Sequence, residues 1–289
     1  MGILKICQTR VVKLRQSPVY PDSIGSTTNL NMRGEKMKTI KEIFTFRYDI
    51  TQDTKFAIVL GLIAVGLSFF LRLFLEDTLL NKTVFFVVLD IVIKVIIGFY
   101  VPIHYVMIRR KQGLEVFGLT KKDWKASLIL GLVFAILLLI QFASESAEMG
   151  QEVFLRAGVL IPIFYIFIAG IFEMTFIYGF LRRIFDKSFG IIPGIILTAL
   201  FYSFHHAGFQ PEFGKLIFVG IMYASIYRIT NNILIVFPFF WGVGAIWDVL
   251  VNFGTTELEG VSTLLKAMIT VILMIGSASY INARSKESE

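Results

Sequence analysis

Eight apolar segments, separated by polar stretches, run along the chain at about Phe56–Leu75, Val84–Ile108, Lys125–Ala143, Ala157–Phe185, Ile191–His206, Leu216–Ile229, Ile233–Leu250 and Val261–Ile281. A membrane-spanning helix needs ~20 mostly apolar residues. Lipid cannot satisfy backbone N–H and C=O groups, which leaves helices or a closed barrel as spanning structures. The runs here are continuous rather than alternating, so the expectation is all-α: a polytopic membrane helical bundle of about eight transmembrane helices. The fifth, sixth and seventh segments are short or interrupted by Gly and Pro. Such breaks are tolerated where neighbouring helices or a wet cavity satisfy the freed backbone.

Composition agrees: 56% of the 289 residues are hydrophobic and 17% charged, against about a quarter charged in soluble domains. The net charge of +7 does not point to nucleic acid, because the excess lies in the N-terminal segment and between apolar runs, without a basic aromatic surface. The single cysteine, Cys7, excludes an internal disulfide. Residues 1–36 are polar, with Pro18, Pro21 and a Ser/Thr/Asn-rich stretch, and lack the apolar core of a signal peptide. They read either as a disordered cytoplasmic tail or as sequence upstream of a true start at Met37. Residues 37–289 form the expected transmembrane domain.

Charge between the segments sets an orientation. Arg109, Arg110, Lys111, Lys121, Lys122 and Lys125 crowd the connection between segments two and three. Arg182, Arg183 and Lys187 mark the connection between four and five, and Arg284 and Lys286 follow segment eight. Glu145, Glu148 and Glu152 follow segment three, and Glu257 and Glu259 follow segment seven. The positive-inside rule then places both termini in the cytoplasm, as an even number of spans requires.

Ionisable side chains inside a span are costly, so each is a candidate for function. Asp90 and Lys94, at i and i+4, read as a structural ion pair or as a transport site. Arg72 can snorkel from the end of its segment. Glu173 stands alone in Phe-Tyr-Ile-Phe-Ile-Ala-Gly-Ile-Phe-Glu-Met-Thr-Phe; such a carboxyl suits a general base or acid, or a protonated side chain bonded to a neighbouring helix. His205 and His206 close the fifth segment. At 1.5 Å per residue, Glu173 lies ~18 Å from the near end of helix four, and His206 ~21 Å up the returning helix. The two side chains are therefore expected at matching depth, sharing one polar cavity. Asp248, beside Trp247, is either an interfacial residue or a third polar group of that cavity.

The order of these features resembles the CPBP family, which comprises CAAX prenyl endopeptidases and bacteriocin-processing or immunity (Abi) membrane proteins. The resemblance rests on Glu173-Met-Thr-Phe-Ile-Tyr-Gly179, the following Leu-Arg-Arg-Ile-Phe, Phe201-Tyr-Ser-Phe-His-His206, Thr230-Asn-Asn-Ile-Leu and the upstream Phe117-Gly-Leu-Thr-Lys-Lys-Asp-Trp. It spans about residues 117–250. Against the family's Glu-Glu-x-x-x-Arg motif, Glu173 matches the first glutamate, Met174 replaces the second and Tyr178 stands where the arginine is expected. In Phe-x-x-x-His, Phe201 pairs with His205 or Tyr202 with His206, the latter fitting the continuation better. In His-x-x-x-Asn/Asp, Asp248 fills the last position and Gly244 stands where the histidine would be.

The resemblance implies an intramembrane endopeptidase in which the glutamate activates a water, a histidine assists, and a further His/Asn pair stabilises the oxyanion. The catalytic residues it implies are Glu173, His206, His205 and Asp248. No cofactor is expected; zinc would want three protein ligands, and Glu173, one histidine and Asp248 are the groups on offer. Losing an oxyanion donor typically costs ~10²–10³ in rate, so a catalytically inactive descendant acting by binding, as an immunity factor or partner, stands beside the protease. A small-solute transporter using Glu173 and Asp90 is the third reading. The expected partners are the lipid bilayer and a peptide or membrane-protein substrate.

Overall fold

The computed structural model describes residues 42–148, 157–206, 213–252 and 260–287. The expected N-terminal tail lies outside them. Among the described residues there is no strand, and six helices are long and apolar enough to cross a membrane. These are α1 (Gln52–Phe74), α2 (Leu79–Arg109), α3 (Trp124–Ala147), α4 (Leu160–Phe189), α6 (Phe213–Thr230) and α8 (Val261–Lys286). Two shorter apolar helices, α5 (Ile191–His206) and α7 (Ile233–Ala245), complete the eight expected segments, and Ile246–Asn252 continues α7. The protein is an integral, multi-pass membrane protein with a lipid-facing exterior. Val59, Leu62 and Ile63 on α1, Ile136 and Leu137 on α3, and Ile272 and Ile275 on α8 all stand outward, as side chains solvated by lipid should.

The bundle closes around α4. Every residue from Glu173 to Leu181 is buried, with α2, α5, α7 and α8 packed along this helix. Here the backbone widens into π-helical turns, in which Arg182 N–H reaches back five residues to Ile177 C=O. Glu173 opens that stretch. Similar turns occupy Phe86–Tyr100 of α2 and Phe237–Ala245 of α7.

Helix α4 ends at Gly190, whose φ of +96° lies in the left-handed region that costs an L side chain energy and glycine almost nothing. The chain reverses there into α5. His206 stands ~22 Å along α5 from Ile191 at 1.5 Å per residue, within the ~30 Å hydrocarbon core, and both His205 and His206 are buried in the bundle. Close approach to α6 is set by small residues: a Cβ on Gly220 would lie 2.9 Å from Ala199 Cα. Without a hydrophobic drive between helices in lipid, such small-residue contacts hold helices together.

Two polar clusters brace the bundle. On α2, Lys94 Nζ lies 2.6 Å from Asp90. From α4, the Tyr165 hydroxyl donates to Asp90 at 2.8 Å and accepts from Lys94 at 3.1 Å. Both charged residues are buried, and the ion-pair reading of the sequence is the one this geometry matches. The second cluster ties the start of α3 to the junction of α6 and α7. Gly118, at φ +75°, has no room for a side chain against the Tyr227 hydroxyl and Asn231 carbonyl. Tyr227 donates to Phe117 C=O at 2.6 Å, and Asn232 Nδ2 donates to Thr120 and Lys122 C=O at 2.9 and 2.8 Å. The Phe117-Gly-Leu-Thr stretch is thus a fastening. Next to it, Arg182 bridges Asp186 at 2.9 Å and Asn231 at 2.8 Å, and Arg228 reaches the same Asp186 oxygen at 3.1 Å.

Candidate active site

Glu173 enters the site from the widened part of α4, and both histidines enter from the last turn of α5. His206 Nε2 lies 3.3 Å from Glu173 Oε1. The depth argument from helix rise placed them level, and with the observed bounds it still does: ~24 Å from Phe189 back to Glu173, ~22 Å from Ile191 up to His206. All three side chains are buried, Glu173 at 8%, His205 at 4% and His206 at 7% exposure.

Second contacts fix the histidine tautomers. His206 Nδ1 lies 2.8 Å from Tyr202 C=O. A carbonyl only accepts, so Nδ1 carries a proton and Nε2 of a neutral ring would present a lone pair. That nitrogen faces a Glu173 carboxyl oxygen, so the two side chains meet as one buried polar pair. His205 is fixed similarly. Ser68 Oγ donates to Ala64 C=O at 3.0 Å, which leaves it to accept from His205 Nδ1 at 3.3 Å. The imidazoles meet edge to face, their centroids 4.7 Å apart, with Phe172 against His205 and Tyr202 against His206.

Glu173, His205 and His206 bring ligand-type atoms within 4.8 Å of one another. The sequence had allowed for one histidine in this set; the structure supplies both. Two imidazoles and a carboxylate match the donor set of catalytic zinc sites. The Tyr202 carbonyl, accepting from the other ring nitrogen of His206, would orient that ring as metal-bound imidazoles are oriented.

The departures from the motifs also find their places. Met174 is buried in the apolar core. Tyr178, in the arginine position, is fully buried, and its hydroxyl has no hydrogen-bond partner among the described residues. Gly244 faces the Tyr223 hydroxyl, which lies 2.5 Å from where a Cβ would be. The space a third-motif histidine would enter is thus filled by a tyrosine from α6. Asp248 lies on Ile246–Asn252, with its side chain outside the described residues.

Sequence reasoning passed over Ser68, the Tyr202 carbonyl and Tyr223 as parts of the site, and met Tyr178 and Tyr202 only as motif positions. Ser68, a hydroxyl in the apolar run of α1, was an available signal. Tyr223 gave none, because tyrosine is common in spans as packing.

No characterised protein and no solved structure matches the chain. Residues 154–246, which hold Glu173, His205 and His206, match the family model described as Rce1-like, type II CAAX prenyl endopeptidase Rce1-like, a match consistent with the CPBP family that the motifs resemble.

Proposed function

We propose that the protein is an intramembrane endopeptidase of the CPBP/CAAX-protease type. The observation that carries this reading is the buried Glu173–His206 pair at 3.3 Å. The pair takes a proton from a water as its oxygen attacks the peptide carbonyl carbon. The C=O π electrons move onto oxygen, giving a tetrahedral oxyanion. Collapse breaks the C–N bond, and the departing amine takes the proton back from the pair. Low dielectric around the pair strengthens each of these interactions. Were zinc bound, Glu173, His205 and His206 would hold it, and it would supply Lewis-acid polarisation and an acidified water. The orientation that suits this reading has both termini in the cytoplasm, as loop charge suggests.

A second reading is favoured by Met174, Tyr178 and Gly244 at motif positions: a non-catalytic descendant that holds a peptide or partner helix, as immunity proteins do. The transporter reading loses support, since Asp90 is already engaged by Lys94 and Tyr165. Cleavage of an internally quenched, farnesylated peptide ending in a CAAX sequence, by purified protein and by Glu173→Gln, separates catalysis from binding. A panel of unprenylated membrane peptides in the same assay tests the substrate class.

A further inference from the structure

Tyr178 is fully buried, yet its hydroxyl meets no acceptor among the described residues. A buried polar group left unsatisfied is a net cost to folding. Phenylalanine would fill the same volume without that cost. The ring is fixed rather than loose, with Tyr202, Tyr223 and Phe240 around it at centroid separations of 5.8, 6.1 and 6.2 Å. It rises from the same widened stretch of α4 that Glu173 opens. The Tyr202 ring beside it also lies 4.6 Å, centroid to centroid, from the His206 imidazole. A rigid donor without an acceptor, beside a base in an apolar site, is the arrangement that stabilises charge appearing only during reaction.

We propose that the Tyr178 hydroxyl donates a hydrogen bond to the anionic oxygen of the tetrahedral intermediate. This rests on the protease reading above. The phenol keeps its proton throughout; it shortens its bond to oxygen as the negative charge develops and releases it as the C–N bond breaks. A single phenol donor on α4 then serves where the family's arginine and third-motif histidine are absent from this sequence. The competing explanation is a buried water that satisfies the hydroxyl and serves packing alone.

The test compares wild type, Tyr178→Phe and Glu173→Gln on the internally quenched farnesylated peptide, with thermal unfolding of each. Tyr178→Phe is expected to lower kcat by about 10²–10³, with KM unchanged and a thermal midpoint equal to or above wild type, since an unsatisfied group has been removed. Wild-type kcat in Tyr178→Phe beside an inactive Glu173→Gln overturns this proposal and leaves the protease reading standing. Parallel losses of kcat and thermal midpoint also overturn it, because they assign the hydroxyl to structure. Wild type without turnover on this peptide or the unprenylated panel overturns both.

Discussion

Glu173 and His206 come from consecutive antiparallel helices and meet at 3.3 Å, Oε1 to Nε2, with the imidazole held from behind by the Tyr202 carbonyl at 2.8 Å. The meeting follows from helix rise: His206 stands ~22 Å along α5 from Ile191, and Glu173 ~24 Å back along α4 from Phe189, so the two arrive level.

The Asp90–Lys94–Tyr165 cluster yields a prediction about stability alone. Removing one charge leaves the other buried and unpaired, which typically costs ~3–5 kcal/mol, whereas apolar replacement of both is often neutral or better. Asp90→Asn is therefore expected to lower the thermal midpoint in detergent, and Asp90→Leu/Lys94→Met to recover it. A double variant as unstable as the single one would point to a role beyond pairing.

Asn232 is completely buried, donates twice, and accepts from Leu234 N–H at 3.0 Å. Asn232→Asp keeps the size but loses both donors to the Thr120 and Lys122 carbonyls. A destabilisation of at least ~2 kcal/mol is expected, read as a lower midpoint of thermal unfolding. An unchanged midpoint would mean that the α3 start is held by other contacts.

Much of this was legible in the sequence for a physical reason: in lipid, apolarity over ~20 residues and intramembrane charge are strong constraints. The eight segments, the Asp90–Lys94 pair and the level of Glu173 with His206 all follow from them. The π-helical widening at Glu173 was not legible, since no residue type marks it. The contacts of Ser68 and Tyr202 were hidden too, because they depend on which helix faces which. Gly244 read as a gap in a motif; only packing reveals the Tyr223 hydroxyl that fills it.

Loop charge predicts both termini in the cytoplasm. In a Cys7→Ser background, Lys122→Cys and Glu148→Cys are expected to react with an impermeant maleimide from opposite sides, Lys122→Cys from the cytoplasmic side. Labelling of both from one side would contradict the eight-span topology.

A Glu173 carboxylate beside His206 needs no metal to act as a base. Turnover is therefore expected to survive treatment with 1,10-phenanthroline, measured beside metal content. Loss of activity that returns with added zinc would instead assign Glu173, His205 and His206 to a metal centre.

The central claim is that Glu173 takes a proton from the attacking water. Glu173→Gln preserves shape and keeps an oxygen near His206, but removes the base; a general base contributes typically ~10²–10⁴-fold. The direct measurement is single-turnover cleavage of the quenched farnesylated peptide by wild type and Glu173→Gln, with peptide binding followed in the same samples. The account predicts a fall in cleavage rate of at least ~10², with binding retained. Equal rates in the two proteins, or peptide binding without cleavage in either, would contradict it.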